Sequence, residues 1–234
     1  MAEKKFKNGA EIAWILAVML CPLGVCLSAK SGFGVSMVVA PAYIIYLKVS
    51  EYVSWFTFGM AEYCLQGLLI AVTCVVLRCF KWKYLLSFVT AVCYGIVLDI
   101  WSAVIGTQIC TVFWLKCVYC ICGAVITAFS IALFLRTYLP QEGYELVVKE
   151  ISDCFKLPVN RVKWVYDATS LALGILLMLC LFGRFSFDMI GVGTLILTVI
   201  NTPLIAGFGK ILDKYFEFNS AFASFYNRFD RIMN

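Results

Sequence analysis

Three carboxylates stand inside stretches otherwise too apolar to hold a charge: Glu62, Asp99 and Asp167. An ionisable group at membrane depth is costly, and where one persists it is a candidate for binding or proton movement. Glu62 and Asp99 each lie about seven residues from the same end of neighbouring apolar stretches, roughly 10 Å deep at about 1.5 Å per residue. The two stretches run antiparallel, so a single acidic site is expected. Two carboxylates at one depth repel, raising the proton affinity of one and leaving a shared proton or a bound cation. The competing role is structural, each carboxylate accepting hydrogen bonds from Tyr, Thr or a helix end. Asp167 opens its stretch, where a carboxylate also suits a helix N-terminus.

Polar neighbours extend this set. Gln66 is one helical turn beyond Glu62 on the same face. Ser36, Tyr43 and Tyr63 are placed to line an outer entry, and Thr194 and Asn201 are the matching polar groups of the last stretch. For each of these, hydrogen bonding between helices is the competing role. Gly191 and Gly193 suit close helix packing better than an anion nest. Enzymatic chemistry is not expected: the chain has no histidine, and no Ser or Cys has an evident base beside it. Most of the 12 cysteines fall in apolar stretches, where cysteine acts as a small hydrophobe. The tightest group, Cys117, Cys120 and Cys122, lacks a second pair at ligand spacing, so neither metal nor cofactor is expected.

What must position these residues is a bundle in lipid. Of the 234 residues 63% are hydrophobic and 14% charged, with mean hydropathy +0.92. A soluble domain carries about 25% charged residues, so the bilayer is the expected solvent and partner. The net charge of +5 is distributed between apolar spans, which suits topology rather than nucleic acid. Spans of about 20 residues are expected at about 11–29, 56–79, 85–106, 111–135, 165–182 and 189–209. The stretch 35–49 is shorter and contains Pro41. If it does not cross, every one of the 19 Lys+Arg except Lys30, Lys48, Lys116 and Arg184 falls on the side of the N-terminus. The positive-inside rule then puts both termini in the cytoplasm. The first apolar stretch follows Lys4, Lys5 and Lys7 but lacks a small-residue cleavage site, so it reads as a retained helix.

The expected fold is therefore an all-α membrane protein with six transmembrane helices in two inverted three-helix repeats, about 11–106 and 111–209. Gln66-Gly67 and Leu173-Gly174 occupy matching places in the closing hairpins. An outer re-entrant segment at about 35–49 follows the flexible Gly32-Phe-Gly34-Val-Ser36. An amphipathic helix at about 141–157 is expected on the inner surface, with Leu146, Val147, Ile151, Cys154 and Phe155 on one face. A single transmembrane domain, 1–214, precedes an aromatic tail, 215–234, carrying Phe216, Phe218, Phe222, Phe225, Tyr226 and Phe229.

Several short motifs resemble the YczE/YyaS/YitT group of bacterial membrane proteins. They are Gly34-Val35-Ser36, the Gly59 to Gly67 stretch, Asp99, Asn160-Arg161-Val162 and Gly191-Val192-Gly193-Thr194. Met37-Val38-Val39 stands where proline and aspartate often follow the GVS. The resemblance covers roughly 12–212 and implies the fold and the bacterial cytoplasmic membrane more than an activity. The leading functional expectation is a small-molecule transporter working by alternating access, proton- or cation-coupled through the buried carboxylates. A substrate-binding subunit of a multi-component importer, docking through Ala13xxxAla17, is a second. An accessory or signalling protein acting through its tail, alone or as a homo-oligomer, is a third.

Overall fold

The computed structural model of the chain describes residues 6–78, 80–106 and 108–219. Six helices among them are long and apolar enough to cross a membrane: Ala10–Ser31 (α1), Phe58–Leu77 (α3), Trp82–Ile105 (α4), Phe113–Phe134 (α5), Val159–Phe182 (α7) and Val192–Tyr215 (α8). Each agrees with an expected span to within a few residues. Two shorter helices, Ala40–Val49 (α2) and Gly143–Phe155 (α6), lie between them. The chain is thus a multi-pass, membrane-type helical protein.

Hydrogen bonds and ion pairs at the helix ends sort the bundle into two faces. Where α1 ends, the Lys30 carbonyl accepts from Cys110 N (3.0 Å), and the Lys30 ammonium donates to the Ile105 carbonyl at the end of α4. The start of α8 joins them there, because Val35 N donates to the Met189 carbonyl. On the opposite face Tyr138 Oη donates to Glu11 at the start of α1 (2.5 Å), and Arg136 pairs with Asp213 near the end of α8 (2.6 Å). The segment after α1 thus begins on the first of these faces, the far face, and the segment after α5 on the opposite, near face.

Close approach of backbones sets the centre. A Cβ on Gly24 of α1 would lie 2.2 Å from Thr127 Oγ1 and 2.8 Å from the Gly123 carbonyl of α5. Nothing larger than glycine fits this crossing, and α1 and α5 form the longest contact in the bundle. Around it, α1 packs on α4 as α5 packs on α8, and α2 joins α3 and α7 as α6 joins α7 and α3. The correspondence fails twice: α6 packs on α4 whereas α2 hardly meets α8, and α3 lies along α4 whereas α7 and α8 hardly touch.

One expectation needs correction. The amphipathic segment is not wholly a surface helix: Tyr144, Leu146, Val147, Val148 and Glu150 of α6 are buried against α3, α4 and α7, while Lys149, Asp153, Cys154 and Phe155 are exposed. Glu145 and Glu150 find lysine partners inside the protein, so amphipathicity alone could not assign the whole polar side to water. A short strand pair accompanies the helices. Phe6–Gly9 (β1) pairs in parallel with Phe216–Asn219 (β2), with Phe6 opposite Phe216, which brings the two ends of the bundle to one face. Phe222, Phe225, Tyr226 and Phe229 lie outside the described residues.

Candidate functional site

Both short helices begin in the interior. The Ser36 carbonyl accepts from Val39 N and Ala40 N (3.1 and 2.9 Å), turning the chain into α2. Gly34, at φ +96°, makes the approach to α8 that this turn requires, since a Cβ there would meet Thr194 Oγ1 at 2.3 Å. The second start is pinned by α3 and α4. Gly143 N donates to Gln66 Oε1 (2.9 Å), Tyr144 Oη donates to Glu62 Oε2 (2.5 Å), and Ser87 and Thr90 donate to the carbonyls of Gln141 and Pro140 (2.6 and 3.1 Å). Glu62 and Gln66 are fully buried.

Between these two starts lies a cavity of about 80 Å³. A single water needs about 10–15 Å³ by this kind of measure, so there is room for a small solute head group. One wall is Ser36 to Val39, and the other is Gln141, Glu142, Tyr144 and Glu145. Cys21 and Val25 of α1, Tyr94 of α4 and Ile131 of α5 close the middle, and Lys163, Asp167, Thr198 and Asn201 complete it from α7 and α8. Pro22 and Pro203 interrupt the backbone ladders of α1 and α8 beside these residues. Such breaks are tolerated at depth where protein or a cavity receives the freed carbonyl.

The cavity is acidic. Glu142 and Asp167 are 9% and 8% exposed, and Lys163 is already engaged with Glu145 at 2.9 Å. Glu142 Oε1, Asp167 Oδ1 and Asn201 Oδ1 are buried with no hydrogen-bond partner among the described residues. A buried acceptor without a donor costs roughly 1–3 kcal/mol, so three facing one cavity favour a guest that brings N–H or O–H groups, and positive charge with them. Burial, reinforced by the negative fields of Glu62 and Glu145, pushes the Glu142 carboxyl up to about 8, against smaller opposing effects of the Cys21 thiol and Lys163. A carboxyl shifted this way carries its proton at neutral pH, and a nearby cation would favour the ionised form.

Of the residues expected from sequence, Ser36, Asp167 and Asn201 line this cavity. Glu62 and Gln66 stand behind it and hold its floor through Tyr144 and Gly143. The expected Glu62–Asp99 pair is not formed. Asp99 instead caps α3, accepting from Thr57 Oγ1 and Gly59 N (both 2.7 Å), because depth along two helices says nothing about the direction each side chain points. Tyr43 packs between Tyr46 and Phe58 and lines a separate cavity near the far face. Tyr63 lies against Gly95, and Thr194 Oγ1 accepts from Gly191 N (3.3 Å). Gly191 and Gly193 meet the Phe33 carbonyl, where a Cβ on either would stand at 2.6 Å, so packing is their role. Ala13 and Ala17 are 3% and 0% exposed, which leaves them no surface for docking an importer partner. Glu142, Glu145, Tyr144 and Lys163 were not anticipated. The Pro140-Gln141-Glu142-Gly143 start of an amphipathic run was their only signal.

A family model matches residues 10–210, from the start of α1 nearly to the end of α8. The chain belongs to DUF6198, a family of unknown function. That DUF6198 match contains both cavity walls, and it makes no link to the YczE/YyaS/YitT group. No curated protein and no solved structure matches the chain.

Proposed function

We propose that the protein is a transporter that exchanges protons for small organic cations bearing N–H donors, such as ammonium or guanidinium groups. The observation that carries this reading is the acidic cavity between the starts of α2 and α6, with three unpartnered buried oxygens on residues that line it.

The architecture supports it. In this reading α1–α4 and α5–α8 are inverted repeats, each with three spans and one segment that dips into the membrane and returns. Segment 32–57 enters from the far face and 135–158 from the near face, and the solute site lies where they meet near the midplane, as in other inverted-repeat transporters. Lys81, Lys83, Arg136 and Lys163 belong to the near face, which the positive-inside rule makes cytoplasmic, with both termini. Proton coupling follows from the site. A cation entering beside Glu142 favours its carboxylate, so binding expels a proton, and reloading the proton expels the cation. Alternating exposure of that one site to the two faces turns the competition into exchange.

Reconstituted in liposomes, the protein should take up radiolabelled methylguanidinium when the lumen is acidic and lose that drive in Glu142→Gln. Glu62→Gln should slow transport without abolishing binding, because Glu62 positions Tyr144 rather than facing the solute. Uptake insensitive to both substitutions and to the pH gradient overturns the proposal.

A further inference from the structure

The gap between α7 and α8 has no counterpart in the first half of the chain. There, α3 and α4 close on each other at Gly59 and Gly95, where a Cβ on Gly59 would stand 2.0 Å from the Gly95 carbonyl oxygen. In the register that pairs Gln66-Gly67 with Leu173-Gly174, Tyr166 takes the place of Gly59. Its ring turns toward Tyr144, with centroids 6.5 Å apart. The glycine contact that joins α3 to α4 thus has no equivalent on α7, whose Tyr166 faces α6 instead.

A second cavity of about 90 Å³ occupies this gap, lined by Lys163, Trp164, Asp167, Thr198 and Thr202. All of these except Trp164 also line the central cavity, so the two spaces lie side by side and share a wall. The path leads sideways: Trp164 is 56% exposed on the outside of the bundle, and the flanking Val165 and Val199 are exposed as well. Chemistry changes in order along it. Carboxylates and the Asn201 amide belong to the central cavity, Lys163, Asp167, Thr198 and Thr202 border both spaces, and the Trp164 indole borders the gap alone.

We infer that the gap between α7 and α8 is a side entrance from the lipid, and that the cations bound are amphiphilic, with an alkyl tail lying in the gap behind an N–H-bearing head. The inference rests on the cation-binding reading above and adds the tail and the route. A central space of about 80 Å³ accommodates a head of a few atoms and excludes a long chain, and of the two spaces beside it the gap, at about 90 Å³, is the larger, against about 20 Å³ beside Ser28 and Ala124. Depth agrees. Lys163 and Asp167 lie one to two turns from the start of α7, roughly 6–12 Å at about 1.5 Å per residue. A charged head on a membrane-dissolved chain approaches the protein near such a depth, where the interface gives way to hydrocarbon, and moves inward from there to the central site. Trp164 at the mouth suits the same zone.

The test is saturable binding of methylguanidinium and octylguanidinium to the full chain in nanodiscs, by calorimetry corrected with empty nanodiscs. Both ions should bind. Asp167→Asn should weaken both by roughly thirtyfold or more, as expected when one partner of a buried charge pair is removed. Thr202→Trp, an exposed position that places an indole in the gap, should weaken octylguanidinium more than methylguanidinium. Should Asp167→Asn fail to fold, Asn201→Leu provides the same test of the head site. Methylguanidinium bound through Asp167 with octylguanidinium excluded, or equal losses for both ions in Thr202→Trp, overturns the side entrance and leaves the cation site standing. Binding of neither ion overturns both.

Discussion

Glu142 shows how far one side chain can be read from its surroundings in sequence. It sits in a polar stretch, Thr137 to Lys149, that looks like a solvated loop and helix start, so nothing marked it as buried. Asp167 and Asn201 were legible because a polar residue inside an apolar stretch stands out and must face something. The field around Glu142 comes from Glu62 on α3, Glu145 on α6, Lys163 on α7 and the Cys21 thiol on α1, and its folded value of about 8 exceeds the ordinary 4.5. The folded protein thus binds more protons than the unfolded chain between these values. Linkage then makes stability fall as pH rises through that window, by on the order of a few kcal/mol in all. In thermal unfolding in detergent, Glu142→Gln should remove this decline and be the more stable protein at pH 8 and above. A wild-type decline that persists in the variant would assign it to another group.

At the scale of elements, α6 is held at both ends. Its start is fixed by Glu62 and Gln66, and its second half by Glu150, which is 3% exposed and accepts from Tyr84 Oη (2.6 Å), Lys81 (2.9 Å) and Lys83. Burial raises the Glu150 carboxyl, but the hydrogen bonds from Lys83, Tyr84 and Lys81 outweigh it and hold the group below its ordinary range. The stabilisation is therefore present above the ordinary carboxylate value and is lost as pH falls through the lowered one. Glu150→Ala should cost about 1–3 kcal/mol at neutral pH and, by hydrogen exchange, loosen the end of α6 before its start. Equal loosening along the whole helix would contradict the two-anchor account. Helix periodicity predicted α6 and its apolar face. It could not show that the polar face meets Lys81, Lys83 and Lys163, because those partners are distant in sequence. A second prediction at this scale concerns the α1–α5 crossing. Gly24→Leu should lower the thermal midpoint sharply, since overpacking a close contact costs about 1–3 kcal/mol or more, whereas Gly207→Leu, with nothing within 4 Å, should not.

For the whole molecule, the spans were legible because length and apolarity are enough to find them, and the charge distribution supplies the reason to expect that 35–49 returns to the face it left. The parting of α7 from α8 was not legible. It depends on which side chains meet at a crossing, and those on α7 and α8 are distant in sequence. In the proposed cycle the halves exchange conformations: α7 closes on α8 while α3 parts from α4. This gives the two states that any exchange of protons for cations needs.

The most direct test of that exchange is the number of protons released per methylguanidinium bound, measured with a pH indicator in weakly buffered detergent across pH 6–9. The account predicts release approaching about one proton per cation near neutral pH, fading above the Glu142 value of about 8 and absent in Glu142→Gln. Wild-type binding without proton release, or undiminished release in Glu142→Gln, would contradict it.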